Sequence, residues 1–468
     1  MRQIIRTLLA VMLFCLALPS VPAAAAPTPP PPEPVRHYSE TGHNIAVALL
    51  AFYDTHGGIG TFGLPLTEVM VDESGMQVQY FERARFELHP AWAPDQRVAL
   101  SLAGSLLTSE RALEPPFQWL TATLNPNLTF FPEAGHSLGG AFRYFWELRG
   151  ALTVFGYPIS EEFYELNPTD GQRYLVQYFQ RARFEYHPEN IGTPYEVLLG
   201  QLGRELLTRS PLAQAATAPV PPLTLIGKAI TGYRTSASER RHNIARATAM
   251  FNGLVVQPQV EFSFNAVGDF SETNGFVDGY AIIGGKLEKV VGGGLCQVST
   301  TLFRAVSNAG LQITQRQGHS YIVYFYENIL GFDATVFTPD LDFRWRNDSA
   351  TPVYLQTESN PDAATVTFSL WGISDGRSVT YAGPYERNWV QPGTPIWQLD
   401  PTLAPNATRQ LVHGRPGVDV RYLRTVTMPD GSIRFHDTYT TNYKPWEDFF
   451  IYGSGVTPPE GVTVLPAK

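Results

Sequence analysis

One stretch of this chain has the residue types and spacing of a nucleophilic site. It runs Gly292-Gly293-Gly294-Leu295-Cys296-Gln297-Val298-Ser299-Thr300-Thr301-Leu302. Apolar residues at Leu295, Val298, Leu302, Ala305, Val306 and Ala309 recur at a helical period and predict a buried helix of about four turns, with Gly310 as its stop. Cys296 then falls in or beside the first turn. A helix N-terminus favours negative charge and so lowers the pKa of a thiol there, and the thiolate is the nucleophilic form. Main-chain N–H groups of a first turn can also hold an oxyanion. The glycine run lets a substrate approach the backbone closely. A phosphate-binding loop would want Lys and Ser/Thr after the glycines, and Cys296-Gln297 stands there instead. The competing reading of Cys296 is a buried, inert thiol.

A cysteine nucleophile needs a base, which a third group orients. His319 is the candidate base. It precedes the aromatic run Tyr321-Ile322-Val323-Tyr324-Phe325, which reads as a strand. A helix of ~20 Å followed by a returning strand could carry His319 back beside Cys296. The alternative is a structural histidine. Asp333, Asp340 and Asp342 are the acids that could orient the imidazole. Asp333 is preferred because it heads a β-like Thr-Val-Phe run.

The elements that must position these groups lie upstream. Ser236 to Ile244 opens a helix, with serine near the cap and Glu239 in the first turn, running to about Asn252. Glu261 to Asn265 reads as a strand, and Gly268, Gly275, Gly279, Gly284 and Gly285 mark turns.

Taken in order, several motifs resemble the VanW domain over roughly residues 230 to 360. They are Phe262-Ser263-Phe264-Asn265, the Gly292 to Leu302 run, Arg316-x-x-His319-Ser320, Asp333-Ala334-Thr335-Val336 and Asp340-Leu341-x-Phe343. That family was named from a glycopeptide-resistance cluster. Some members are linked to L,D-transpeptidation of peptidoglycan, with the glycine-flanked cysteine as nucleophile. The resemblance implies an L,D-transpeptidase-like cysteine acyltransferase acting on peptidoglycan stem peptides. Cys296 would be the nucleophile, His319 the base and Asp333 its orienter. Gly293, Gly294, Gln297, Ser299, Arg316 and Ser320 complete the expected oxyanion- and substrate-binding set. No metal or organic cofactor is implied. The chain departs from the family pattern at Leu295, where Ile is common, and at Tyr324-Phe325-Tyr326-Glu327-Asn328, which replaces the usual Tyr-Val-Pro before Gly331.

Around this segment the 468 residues divide at proline-rich stretches, and at ~100–200 residues per domain they predict two to four domains. Arg2 and Arg6, the apolar run Thr7 to Leu18, Pro19 and Ala23 to Ala26 have the layout of a secretory signal. Cys15 would leave with it, so the mature chain would keep Cys296 alone. An exported chain with one cysteine has no internal disulfide, and an odd thiol there is either an intermolecular partner or a reactive thiol. The protein is expected in the cell envelope or outside the cell, with no stable membrane span after cleavage.

A duplication follows. Phe62-Gly63-Leu64-Pro65-Leu66-Thr67-Glu68 and Tyr80-Phe81-Glu82-Arg83-Ala84-Arg85-Phe86-Glu87 return as Phe155-Gly156-Tyr157-Pro158-Ile159-Ser160-Glu161 and Tyr178-Phe179-Gln180-Arg181-Ala182-Arg183-Phe184-Glu185. Each copy reads as a short helix, a Gly-Pro turn and a β-hairpin. The pattern resembles LGFP-type repeats, which implies modules that hold the protein at the cell wall. After about residue 373 the chain is rich in β-formers, and Val418 to His436 reads as a hairpin with an Asp-Gly turn.

The expected architecture is α+β and multidomain. Residues 1–26 are a signal and 27–36 a spacer. Repeat modules occupy 37–114 and 130–209, a linker 210–223, a mixed α+β domain with the Cys-bearing helix 224–372, and a β-rich module 373–468. The formal charge of -9, with 34 basic against 43 acidic residues and no basic stripe, argues against nucleic acid as a partner. Two other functions stay open. One is a non-catalytic peptidoglycan- or envelope-binding protein with a buried Cys296. The other is a cysteine amidase or peptidase.

Overall fold

A computed structural model describes residues 33–467 except 124, 168, 169, 212, 284, 285 and 326. The expected signal at 1–26 and most of the spacer at 27–36 lie outside the described residues.

The duplication in sequence is a duplication in structure. Met70–Val71, Gln77–Tyr80, Arg85–Leu88 and Val98–Leu100 form a four-stranded antiparallel meander. Phe163–Leu166, Arg173–Tyr178, Arg183–Tyr186 and Val197–Leu199 form its counterpart. Each sheet is preceded by a two-stranded hairpin and a helix, Val47–Thr55 in one and Gly140–Leu148 in the other. The phenylalanines of the repeated motif build the same core twice. Phe81 and Phe86 have ring centroids 4.2 Å apart, and Phe179 and Phe184 4.1 Å. Phe62 meets Phe86 edge-on at 4.8 Å, as Phe155 meets Phe184. Such edge contacts suit the ring quadrupole.

The copies exchange their final helices. Ala103–Leu107, which follows the first sheet, packs on the second copy, where Ser105 N–H donates to the Gln180 carbonyl at 3.2 Å. Leu202–Arg209, which follows the second sheet, packs on the first, where Arg204 N–H donates to the Glu82 carbonyl at 3.1 Å. Glycine is required at both crossings. A Cβ on Gly104 would lie 1.9 Å from the Phe179 oxygen, and one on Gly203 2.0 Å from the Phe81 oxygen.

The first repeat also sits directly on the domain that follows. Arg97, almost fully buried, donates to the carbonyls of Met250 and Asn252, each at 2.6 Å. These are the last carbonyls of the helix Ser238–Phe251 and its C-cap, where a cation is favoured. Tyr354 Oη donates to Glu68 at 3.2 Å. The end of the expected linker runs along the same repeat, with Val220 N–H on the Gly42 carbonyl at 2.8 Å.

The central domain is a four-stranded antiparallel sheet in the order Thr224–Gly232, Thr365–Gly372, Val353–Asn360, Val255–Val256. The helices Ser238–Phe251 and Leu295–Asn308 pack on it. The expected apolar face of the second helix is fully buried at Val298, Leu302, Ala305 and Val306. Its polar side is buried too, with Thr301 bonded to Thr231 at 2.6 Å and Arg304 donating to the Phe332 carbonyl at 2.8 Å. Two expectations fail here: residues 321–325 form no strand, and neither does the Thr335-Val336-Phe337 run that follows Asp333. Residues 321–325 instead lie as a loop, with Tyr321 on Trp446 at 5.3 Å and Phe325 against the central core.

In the C-terminal module the hairpin is longer than expected. Gly417–Thr427 pairs with Ile433–Tyr443, and Ser378–Val390 adds a third strand. The inward alternation of Tyr439, Thr441 and Tyr443 extends the second strand.

Candidate active site

Cys296 is the second residue of the helix Leu295–Asn308, as its spacing required. Two of the preceding glycines have distinct physical roles. Gly294 has φ +119°, which a side chain resists, and a Cβ there would press on Ile244 and Arg240. Gly293 lies so close to Gly279 that a Cβ would come within 2.5 Å of its backbone. Asn243, fully buried, staples this turn to the preceding helix, donating to the carbonyls of Val277 at 2.8 Å and Gly293 at 3.1 Å. Asn243 was not among the expected site residues. Its signal was a polar residue on the apolar face that carries Ile244, Ala247 and Phe251.

The half-buried thiol lines a cleft of about 530 Å³ with Gly292 to Leu295, Phe270, Val336 and Phe337. It donates to the Val336 carbonyl at 3.4 Å and lies 3.5 Å from Thr335 Oγ1. Among the described residues, the main-chain N–H groups of Gly294 and Cys296 have no hydrogen-bond partner, whereas those of Leu295 and Gln297 are bonded to Gly292 and Gly294. Of the expected set, Gly294 is therefore available as an oxyanion donor and is joined by the N–H of Cys296, whereas Gly293 spends its N–H on the Val290 carbonyl at 3.3 Å and Gln297 its own on Gly294.

His319 and Asp333 meet as the sequence suggested, without the strand expected to deliver His319. The two loops are tied where Thr335 N–H donates to the Gln317 carbonyl at 2.8 Å. The Nδ1–H of His319 donates to Asp333 Oδ2, and its main-chain N–H donates to the same oxygen at 3.0 Å. Asp342 instead accepts from Ser263 and Asn265, joining a strand to a loop, and Asp340 is exposed.

The electrostatics follow from this chain of contacts. Burial raises the Cys296 thiol, but hydrogen bonding and charge from His319 outweigh it and leave the thiol at about 7. Burial lowers His319, but the charge and hydrogen bond of Asp333, with a smaller part from Cys296, push it up to about 10. Burial raises Asp333, but the charge of His319 and then Arg316 hold it down at about 2. All three directions favour a thiolate–imidazolium pair backed by a carboxylate.

Several expected substrate-binding side chains are placed elsewhere. Gln297 is fully buried and donates to Thr231 at 2.6 Å. Ser299 is fully buried and donates to the Ala334 carbonyl at 2.6 Å. Arg316 donates to the carbonyls of Asp333 at 2.6 Å and Gly331 at 2.7 Å. Ser299 and Arg316 shape the loop behind the site, and Gln297 ties the helix to the strand Thr224–Gly232, because each polar head finds a partner in the protein interior. Ser320 is exposed, outside the residues that line the cleft. Among the described residues, no group of three or more His, Cys, Asp or Glu could hold a metal ion, and no helix is long and apolar enough to cross a membrane.

Residues 239–371 match the family of VanW like proteins. This segment is a VanW-family domain. The chain is 32% identical over 212 residues to the uncharacterized protein YoaR of Bacillus subtilis, a match covering 44% of this chain and 66% of YoaR. It is 34% identical over 124 residues to the vancomycin B-type resistance protein VanW of Enterococcus faecalis, covering 25% of this chain and 45% of that protein. The chain thus spans just under two thirds of YoaR and under half of VanW. The VanW-family segment contains Cys296, His319 and Asp333.

Proposed function

We propose that the protein is an exported cysteine acyltransferase of the cell envelope that acts, like an L,D-transpeptidase, on peptidoglycan stem peptides. The observation that carries this reading is the contact chain Cys296–His319–Asp333 opening on a cleft beside two unbonded N–H groups. The chemistry is that of an activated thiol.

The Cys296 thiolate attacks the carbonyl carbon of a diaminopimelate residue in a donor stem. The tetrahedral oxyanion is held by the N–H groups of Gly294 and Cys296. The C–N bond breaks, the terminal D-amino acid leaves with a proton from the His319 imidazolium, and a thioester remains. An amine of a neighbouring stem attacks the thioester and yields its proton to His319. The C–S bond breaks, and a cross-link and the thiolate result. One amide is broken and one made, so the reaction needs no other reactant. In this reading the paired repeats hold the protein at the wall.

The test is iodoacetamide labelling of the folded protein across pH, followed by incubation with muropeptides. Rapid labelling with a midpoint near 7 and a cross-linked product support the proposal. A hydrolysed stem without cross-link points to an amidase or peptidase. A thiol that labels only after denaturation points to a binding module.

A further inference from the structure

We propose that the strand Ile433–Tyr443 of the C-terminal module is part of the catalytic site, with Tyr443 and Thr441 as positioning residues for the Asp333 carboxylate. The proposal rests on the acyl-transfer reading above.

A carboxylate that must present one oxygen to an imidazole turns about its own axis unless the other oxygen is also held. Asp333 offers Oδ2 to His319, and Tyr443 Oη donates to Oδ1 at 3.0 Å. The Tyr443 hydroxyl is itself aimed, because it accepts from the Gly331 N–H at 2.9 Å and so turns its own hydrogen toward Asp333. Burial and then the charge of Asp333 push the phenol above its usual value, which keeps it a donor. Arg316 Nη2 also reaches Oδ1, at a longer 3.3 Å.

That guanidinium is steadied from the same strand. Thr441, two residues before Tyr443 and on the same face, accepts from Arg316 Nη2 at 2.9 Å and donates to the Gly331 carbonyl at 3.3 Å. Asp333 is 1% exposed, Thr441 3% and Tyr443 7%, so water does not compete for these bonds. Phenylalanine would fill the same volume at 443. The hydroxyl therefore serves the carboxylate rather than packing. Without this strand the VanW-family segment lacks two of the groups that fix its Asp–His pair.

The experiment makes Tyr443→Phe and Thr441→Val in the full protein, each alone and combined with Asp333→Asn. It reads the thiol alkylation midpoint, kcat and KM on a stem-peptide donor, and thermal melting. Tyr443→Phe is expected to fold, to raise the midpoint above its wild-type value near 7, and to lower kcat roughly ten-fold with KM unchanged. Thr441→Val should move both readouts the same way by less. In the Asp333→Asn background neither should have a further effect, because each acts through that carboxylate. An unchanged midpoint and kcat in Tyr443→Phe overturns the proposal, as does a full additional effect in Asp333→Asn. Should Tyr443→Phe not fold, an unshifted Thr441→Val overturns it. A wild-type protein with no low midpoint and no turnover overturns the acyl-transfer reading and this proposal together. An active wild type with a silent Tyr443→Phe overturns this one alone.

Discussion

His319 gives two hydrogen bonds to a single oxygen of Asp333, one from its ring Nδ1 and one from its main-chain N–H at 3.0 Å. A carboxylate only accepts, so Nδ1 carries the proton and Nε2 is left for the thiol of Cys296. The main-chain bond fixes where the residue sits, and the ring bond fixes how the imidazole turns.

Asp333→Asn should therefore cost activity and stability for separate reasons. The amide can offer Nδ1 a donor where it needs an acceptor, which misorients the ring, and turnover should fall roughly 100-fold or more. It also leaves Arg316 without its carboxylate partner, so unfolding free energy should fall by about 3 kcal/mol. Stem-peptide turnover and denaturant titration check the two effects independently. Full turnover in a folded Asp333→Asn protein would remove Asp333 from the site.

The pH profile of alkylation should report the pair rather than an isolated thiol. Labelling should rise through about 7 and be complete below the ordinary thiol range. Acyl transfer should fall again through about 10, where His319 loses its proton and can no longer protonate the leaving amine. In His319→Ala the largest lowering influences are gone while burial and the weaker hydrogen bonds of Thr335 and Val336 remain, so the midpoint should move up toward the usual ~8.5 or beyond.

The same groups set a stability window. His319 is raised in the folded state, so its contribution is full below its usual value near 6.5 and is lost as pH rises through about 10. Asp333 is lowered, so its contribution is full above its usual 3.8 and is lost as pH falls through about 2. Cys296 runs the other way to His319: its lowered value adds stability that is full above 9 and lost as pH falls through about 7. For the Asp333–His319 part, stability should hold between pH 4 and 6.5 and decline toward both extremes. Melting temperatures of wild type and Asp333→Asn from about pH 2 to 10 check it, since the acid limb below pH 4 should flatten in the variant.

Much of the site was legible in the sequence because its signals are local. The three glycines and the helical period around Cys296 lie within one short run, and the repeats announce themselves by direct similarity. His319 and Asp333 were legible as types, whereas the loop that delivers His319 was not, since Tyr321 to Phe325 has strand composition but lies outside any sheet. Tyr443 was not legible as a site residue, because it reaches the loop of Asp333 across 110 residues from a strand of the C-terminal module. Arg316 misled for a similar reason. The resemblance implied substrate contact, whereas the carbonyls that occupy it belong to residues 331, 333 and 440. The exchange of helices between repeats left only glycines as its trace.

Those glycines supply the last prediction. Gly104→Ala and Gly203→Ala each place a methyl within about 2 Å of a carbonyl oxygen in the other repeat. The backbone cannot yield there without parting the helix from the sheet it covers. Each variant should lose about 2–3 kcal/mol or more, because overpacking against a rigid carbonyl has no flexible side chain to absorb it. The two losses should be similar, since Phe179 and Phe81 occupy equivalent places and the helices cross them alike. Gly60→Ala is the control, because a Cβ there meets nothing within 4 Å. Differential scanning calorimetry of the three variants decides: a drop confined to Gly104→Ala and Gly203→Ala is expected, and unchanged melting in both would mean that the helices are not exchanged in solution.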